Sequence, residues 1–246
     1  VTEPDGTTPP ASRTVASSPY LERGSRSYWR ASVALLFTGY ATFSLLYYVQ
    51  PLLPEFSTAF GVGPAQSSLA LSFSTAALAA AVFVAGFVSE GLSRHRLMTA
   101  SLMLSSLLTL VAAFAPHWHQ MLALRALTGL ALGGVPAVGM AYLAEEVHPD
   151  GLGLAMGLYV GGNAIGGMAG RVIAGVLADL FTWRVAVGAI GVLGLASTLA
   201  FRALLAAVAV TSRRAAGSVL RSIARPLPAI SPAAANCPCC SRWASS

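Results

Sequence analysis

Leu97-Met-Thr-Ala-Ser-Leu-Met-Leu-Ser-Ser-Leu-Leu-Thr-Leu-Val-Ala-Ala-Phe-Ala115 runs for nineteen residues without a charge. As a helix it reaches about 28 Å, close to the roughly 30 Å of a bilayer's hydrocarbon core. The whole chain shares this character: 55% of its 246 residues are hydrophobic, 10% are charged, and mean hydropathy is +0.68. A soluble domain carries about a quarter charged residues, so an ordinary cytosolic enzyme and a disordered chain are both excluded. The composition predicts a polytopic membrane protein.

Working outward, six stretches are long and apolar enough to span: about 31–50, 66–89, 97–115, 119–144, 153–178 and 185–208. Breakers or charges separate them, among them Pro51, Pro54, Glu90 to Arg96, Pro116, and Pro149 with Asp150. An all-α bundle fits these lengths better than a barrel, whose strands alternate over about ten residues. Residues 1–30 form a polar tail without a signal-peptide core, so the first span is its own insertion signal. Residues 209–246 are a low-complexity tail rich in Ala, Ser, Arg and Pro.

All 15 basic residues are Arg, against 9 acidic residues, for a formal charge of +6. Arg13, Arg23, Arg26, Arg30, Arg94, Arg96 and six arginines from Arg202 onward fall on one side of an even-spanned topology. Arg184 alone lies in a loop on the other. The positive-inside rule then puts both termini in the cytoplasm. These arginines sit between apolar runs rather than on one basic surface, so nucleic acid is not an expected partner.

A shift of 89 residues carries the starts of spans one, two and three close to those of four, five and six. Gly86-Phe-Val-Ser-Glu90 answers Gly175-Val-Leu-Ala-Asp179, and an Arg follows each, Arg94 and Arg184. A three-helix unit is odd, so the second copy must be inverted, an arrangement typical of secondary transporters. Regular loop spacing in any six-helix protein is the competing explanation.

Three stretches carry chemistry. Gly86 to Arg96 sets Glu90 at a helix C-terminus, where the dipole disfavours an anion, beside Arg94 and Arg96 as compensating cations. The charges also serve simply as topology signals. In the fourth span Arg125, Gly129 and Gly133 recur every four residues, so the glycines permit close helix approach on the face that carries an intramembrane Arg. Such an Arg is a functional candidate by default, unless it snorkels to the interface. In the fifth span Gly162, Gly166 and Gly170 form a packing ladder, while Asn163, Gly167 and Arg171 form a polar one suited to a cavity wall.

The Gly86–Arg96 stretch resembles the loop between helices two and three of the major facilitator superfamily, Gly-x-Leu-Ala-Asp-Arg-x-Gly-Arg-Arg/Lys-Arg/Lys. Gly86, Glu90, Arg94 and Arg96 match, whereas Gly91, Ser93 and His95 depart from it. Arg125 with its spaced glycines resembles the family's fourth helix. Asn163 to Arg171, and Gln50-Pro51-Leu-Leu-Pro54-Glu55, resemble a bacterial branch of drug or sugar exporters. The likeness covers about residues 30–205, one six-helix half of the family's fold.

The resemblance implies secondary transport of a small molecule by alternating access, as proton-coupled efflux across a bacterial inner membrane. Arg125, Asn163, Arg171 and Gln50 would line the substrate path, and Gly86, Glu90, Arg94 and Arg96 would form a cytoplasmic gate. No acid lies deep within a span, so the proton-titrating group is unassigned. The tail has the composition that an out-of-frame reading of GC-rich DNA gives, which points to a half-transporter lacking its C-terminal half or pairing with itself. A non-transporting structural protein or inert remnant is the alternative. Neither an enzyme motif nor a cofactor or metal site is expected; Cys237, Cys239 and Cys240 lie in low-complexity context without a second pair.

Overall fold

The computed structural model describes residues 24–88 and 94–223. Among these the elements are all helices: α1 (Arg26–Tyr47), α2 (Leu53–Phe60), α3 (Pro64–Ser67), α4 (Leu69–Val88), α5 (Arg94–Ala112), α6 (Trp118–Leu132), α7 (Gly134–Glu146), α8 (Pro149–Leu180) and α9 (Trp183–Ile223). Five bodies are long and apolar enough to cross a membrane: Pro64–Ala85, Arg94–Ala112, Trp118–Glu145, Pro149–Leu180 and Trp183–Leu205. The first expected span is α1, whose 22 residues reach about 33 Å. It stands apart from those five because Ser32, Thr38, Tyr40, Thr42, Ser44 and Tyr47 dilute its apolar content.

Local sequence explains the boundaries. Ser25 caps α1 by accepting from the Tyr28 N–H at 3.0 Å. Pro149 begins α8 at a position where its missing N–H costs nothing. Gly61, with φ of +64°, ends α2 in the left-handed conformation that glycine adopts without a Cβ clash. The fourth span divides into α6 and α7 at Gly133 because Pro136 offers no N–H to the Leu132 carbonyl. α9 continues past residue 208, where the tail was expected to begin, since no proline interrupts it before Pro226. Residues 1–23 and 224–246, including the cysteines, lie outside the described residues, as does Glu90.

Many hydroxyls inside the spans are satisfied by their own helices. Thr38, Thr42, Ser74, Ser105, Ser106, Thr109 and Thr198 each donate to the carbonyl four residues earlier at 2.6–3.0 Å. Large apolar side chains such as Phe83, Phe114, Met168 and Leu180 instead point outward, the inverse of a soluble fold.

The helix pairings obey the 89-residue shift. α1 packs chiefly on α8, α4 on α6, and α5 on α9. Exchanging the two three-helix units turns the first pairing into the second and maps the third onto itself. Individual contacts follow. A Cβ on Gly170 would come within 2.8 Å of the Ser44 Cα, and one on Gly133 would strike the Ala81 Cβ. The shift carries Ser44 onto Gly133 and Ala81 onto Gly170, so these are one contact seen twice. The fold is thus two inverted three-helix repeats whose helices interleave.

The seams are glycine-lined. Gly162 and Gly166 lie against the Leu36 and Tyr40 carbonyls of α1, and Gly129 lies against the Ser74 carbonyl of α4. With no hydrophobic force between helices in lipid, such backbone approach supplies the van der Waals contact that holds them. At one end of the bundle α2 lays Phe56 and Phe60 against Trp118 and Trp183, with ring centroids 5.3–6.4 Å apart. Arg184 covers the Trp183 ring at 4.3 Å. Gly166→Ala should lower stability by about 2 kcal/mol, because its Cβ meets Tyr40 backbone. Gly161→Ala, whose Cβ meets open space, should be neutral or stabilising by up to about 1 kcal/mol. Thermal unfolding in detergent separates the two.

Candidate functional site

α1 ends at Tyr47 with two carbonyls unserved by its own backbone. Tyr48 N–H returns to Ser44 and Gln50 N–H to Tyr47, bypassing Leu45 and Leu46. Arg125 of α6 fills the gap. Its Nη1 donates to the Leu45 carbonyl at 3.0 Å and its Nη2 to that of Leu46 at 2.8 Å. Its Nε donates to the Ala70 carbonyl of α4 at 3.4 Å, and its Cζ lies 4.9 Å from the Tyr48 ring centroid. The side chain is fully buried at 0% exposure. A cation at a helix C-terminus also meets the negative end of the dipole. Arg125 was expected on the substrate path. It is buried among α1, α4 and α6, with its donors on backbone carbonyls.

The other expected pathway residues converge. α8 carries Asn163 and Arg171 two turns apart, and α1 runs beside them into the turn holding Gln50. Arg171 Nε donates to Gln50 Oε1 at 2.5 Å, and its guanidinium carbon lies 4.8 Å from the Tyr47 ring centroid. Phe43, Tyr47, Val160, Asn163, Ala164, Gly167 and Arg171 line a cavity of about 370 Å³. Gly39 of α1 lies against Asn163, and a Cβ there would strike the Asn163 amide oxygen. A larger groove of about 530 Å³ lies between α4 and α5, but Ala80, Val84, Ala100 and Leu104 typify its walls and offer nothing to orient a polar ligand.

At the opposite end Arg94 Nη2 meets Glu145 Oε1 at 2.6 Å, joining the start of α5 to the end of α7. With side chains 30% and 60% exposed, the pair is worth about 0–1 kcal/mol. Next to it His95 stacks on Phe201 of α9 at 5.7 Å, and Arg96 is exposed. Gly86 falls in the last turn of α4. Glu145 was not singled out from sequence, although two consecutive acids closing the fourth span were a visible signal.

The pattern that defines the Major Facilitator Superfamily matches residues 22–236. The chain is 49% identical over 182 residues to the Escherichia coli K12 inner membrane transport protein YnfM, covering 74% of this chain and 44% of the relative. It is 42% identical, over 74% of this chain and 45% of the relative, to the Bacillus subtilis uncharacterized MFS-type transporter YybF. The chain therefore spans a little under half the length of the curated relatives it matches. The fold is similar to that in a crystal structure of a peptide transporter POT, with TM-score 0.64 at 13% identity over 78% of this chain and 45% of that one.

Arg125→Leu should cost about 3 kcal/mol or more, since it strands buried carbonyls. Arg125→Lys should fall between, an ammonium lacking the fork that reaches two carbonyls at once. Arg171→Ala, at an exposed position, should stay within about 0.5 kcal/mol of the parent. Unfolding midpoints in detergent, compared across the three variants, check this order.

Proposed function

The chain belongs to the major facilitator superfamily, and we propose that it supplies one six-helix half of a secondary transporter moving a small molecule by alternating access. The observation that carries this is the α1–α8 cavity, where Asn163 and Arg171 of α8 stand on one wall and Gln50, from the turn after α1, bonds to Arg171. A lone polar residue facing lipid would be costly; two facing one cavity, one of them bonded to Gln50, suit a pathway. The wall needs an opposing surface to enclose a substrate, and a second six-helix half or a second copy of the chain would provide it.

Arg125 belongs to the framework in this reading. It fixes the ends of α1 and α4 on α6 so that the bundle rocks as one body. Gly86, Glu90, Arg94 and Arg96 form the gate of the cytoplasmic end, and the Arg94–Glu145 ion pair supports that role. A weak, partly exposed pair suits a latch that must break in each cycle. The arginine distribution puts both termini in the cytoplasm, and the family resemblance favours proton-driven export across the inner membrane. The domain division is a polar tail over 1–30, the bundle over 31–208 and a second tail over 209–246.

The test is flux. Proteoliposomes carrying the chain together with the C-terminal half of its Escherichia coli relative, under an imposed pH gradient, should show gradient-dependent movement of a solute from a small-molecule panel. Arg171→Ala should abolish it. Flux that survives Arg171→Ala removes the pathway assignment, and no flux with either partner arrangement returns the chain to a structural role.

A further inference from the structure

Arg171 is an exposed cation at the edge of the α1–α8 cavity that no described acid meets. The carboxylates that could be considered are few. Glu145 pairs with Arg94 and Asp150 with His148, both at the opposite end, and Glu55 of α2 enters no ion pair among the described residues. Asp179 lies eight residues along α8, about 12 Å further on the helix axis. Among the described residues none comes within ion-pair distance of Arg171. An ionisable residue that faces a cavity within a span marks a substrate or ion path by default.

The geometry prepares that visit. Gln50 takes the Nε–H and the Tyr47 ring supports the guanidinium face, which fixes the plane of the fork. Both Nη groups remain without a hydrogen bond among the described residues, and the side chain borders the cavity. A planar fork with parallel N–H donors is the shape that a carboxylate accepts bidentately. From Arg171 the cavity face of α8 runs back through Gly167 and Ala164 to Val160, roughly 16 Å. Phe43 of α1 faces the same space. One end of the cavity is therefore cationic, the other is apolar, and Asn163 sits between with one amide.

We infer that this cavity binds an organic monoanion, with its carboxylate on the Arg171 fork and its apolar body along Phe43 and Val160. A dianion would bring a second charge that no other cation in the cavity meets, and an organic cation would face Arg171 with no acid to hold it. This deepens the transport reading and rests on it for the cavity's purpose.

The test uses the full 246-residue chain in detergent, with thermal unfolding followed in the presence of benzoate, benzyl alcohol or benzylamine at equal concentrations. Benzoate should raise the unfolding midpoint with saturation, and the neutral and cationic isosteres should not. Arg171→Gln should weaken benzoate roughly tenfold or more, the loss of a charge-assisted pair, and Arg171→Lys should retain part of the effect. Gln50→Ala, which keeps the charge but frees the fork, should weaken benzoate by a few fold and stands in if Arg171→Gln does not fold. Three outcomes overturn the inference: no benzoate shift, a benzoate shift that survives Arg171→Gln, or a larger shift with benzylamine. Binding here is measured without flux. Flux without benzoate selectivity would sink the substrate class alone, and benzoate selectivity without flux would sink the transport reading alone.

Discussion

Within a bilayer every backbone carbonyl must find a donor in the protein, and the end of α1 leaves two that its own helix does not serve. Arg125 meets both with one guanidinium and reaches a third carbonyl on α4. Its charge is spread over three acceptors and the negative end of a helix dipole, which offsets the cost of burying it. The consequences reach beyond the residue. Because α1 is held at this point, its chain can leave the span, turn through Gln50 and Pro51, and lay α2 across the bundle end with Phe56 against Trp183. Gln50 is thereby placed where it meets Arg171.

Arg125 and Arg171 show how differently the same residue type is held within the bundle. Arg125 has 0% exposure and bonds only to backbone. Arg171 stands at a cavity edge with one side-chain partner and an aromatic support. Backbone carbonyls are fixed and always present, so they build permanent structure. A side-chain amide and a ring leave the Nη donors of Arg171 without a hydrogen bond among the described residues.

Much of the fold was legible because its signals are periodic. Spans are set by apolar length, the inverted repeat by an 89-residue shift, and the packing faces by glycines four residues apart; each depends on local sequence alone. The α1–α8 polar wall was legible in part, since Asn163 and Arg171 share a ladder and Gln50 closes the adjoining span. What could not be read was partnership across helices. Nothing near Arg125 in the sequence announces that Leu45 and Leu46, some eighty residues earlier, will lack donors. Nor does α1 announce that Gly39 will lie against Asn163. The pairing of Arg94 with Glu145 rather than with a neighbour in its own loop is equally a product of how α5 and α7 meet.

The interleaving of the repeats sets an order on biosynthesis. α1 leaves the ribosome before α8, which carries the glycine ladder it packs against roughly 120 residues later, a wait of roughly 6–24 s at 5–20 residues per second. During that interval Tyr40 and Ser44 have no glycine seam to enter, and the Leu45 and Leu46 carbonyls have no arginine until α6 follows. The nascent chain must therefore be chaperoned, by the insertion machinery or by water at the membrane surface, until its second unit arrives. The α1 seam is therefore completed only by the second unit, late in synthesis.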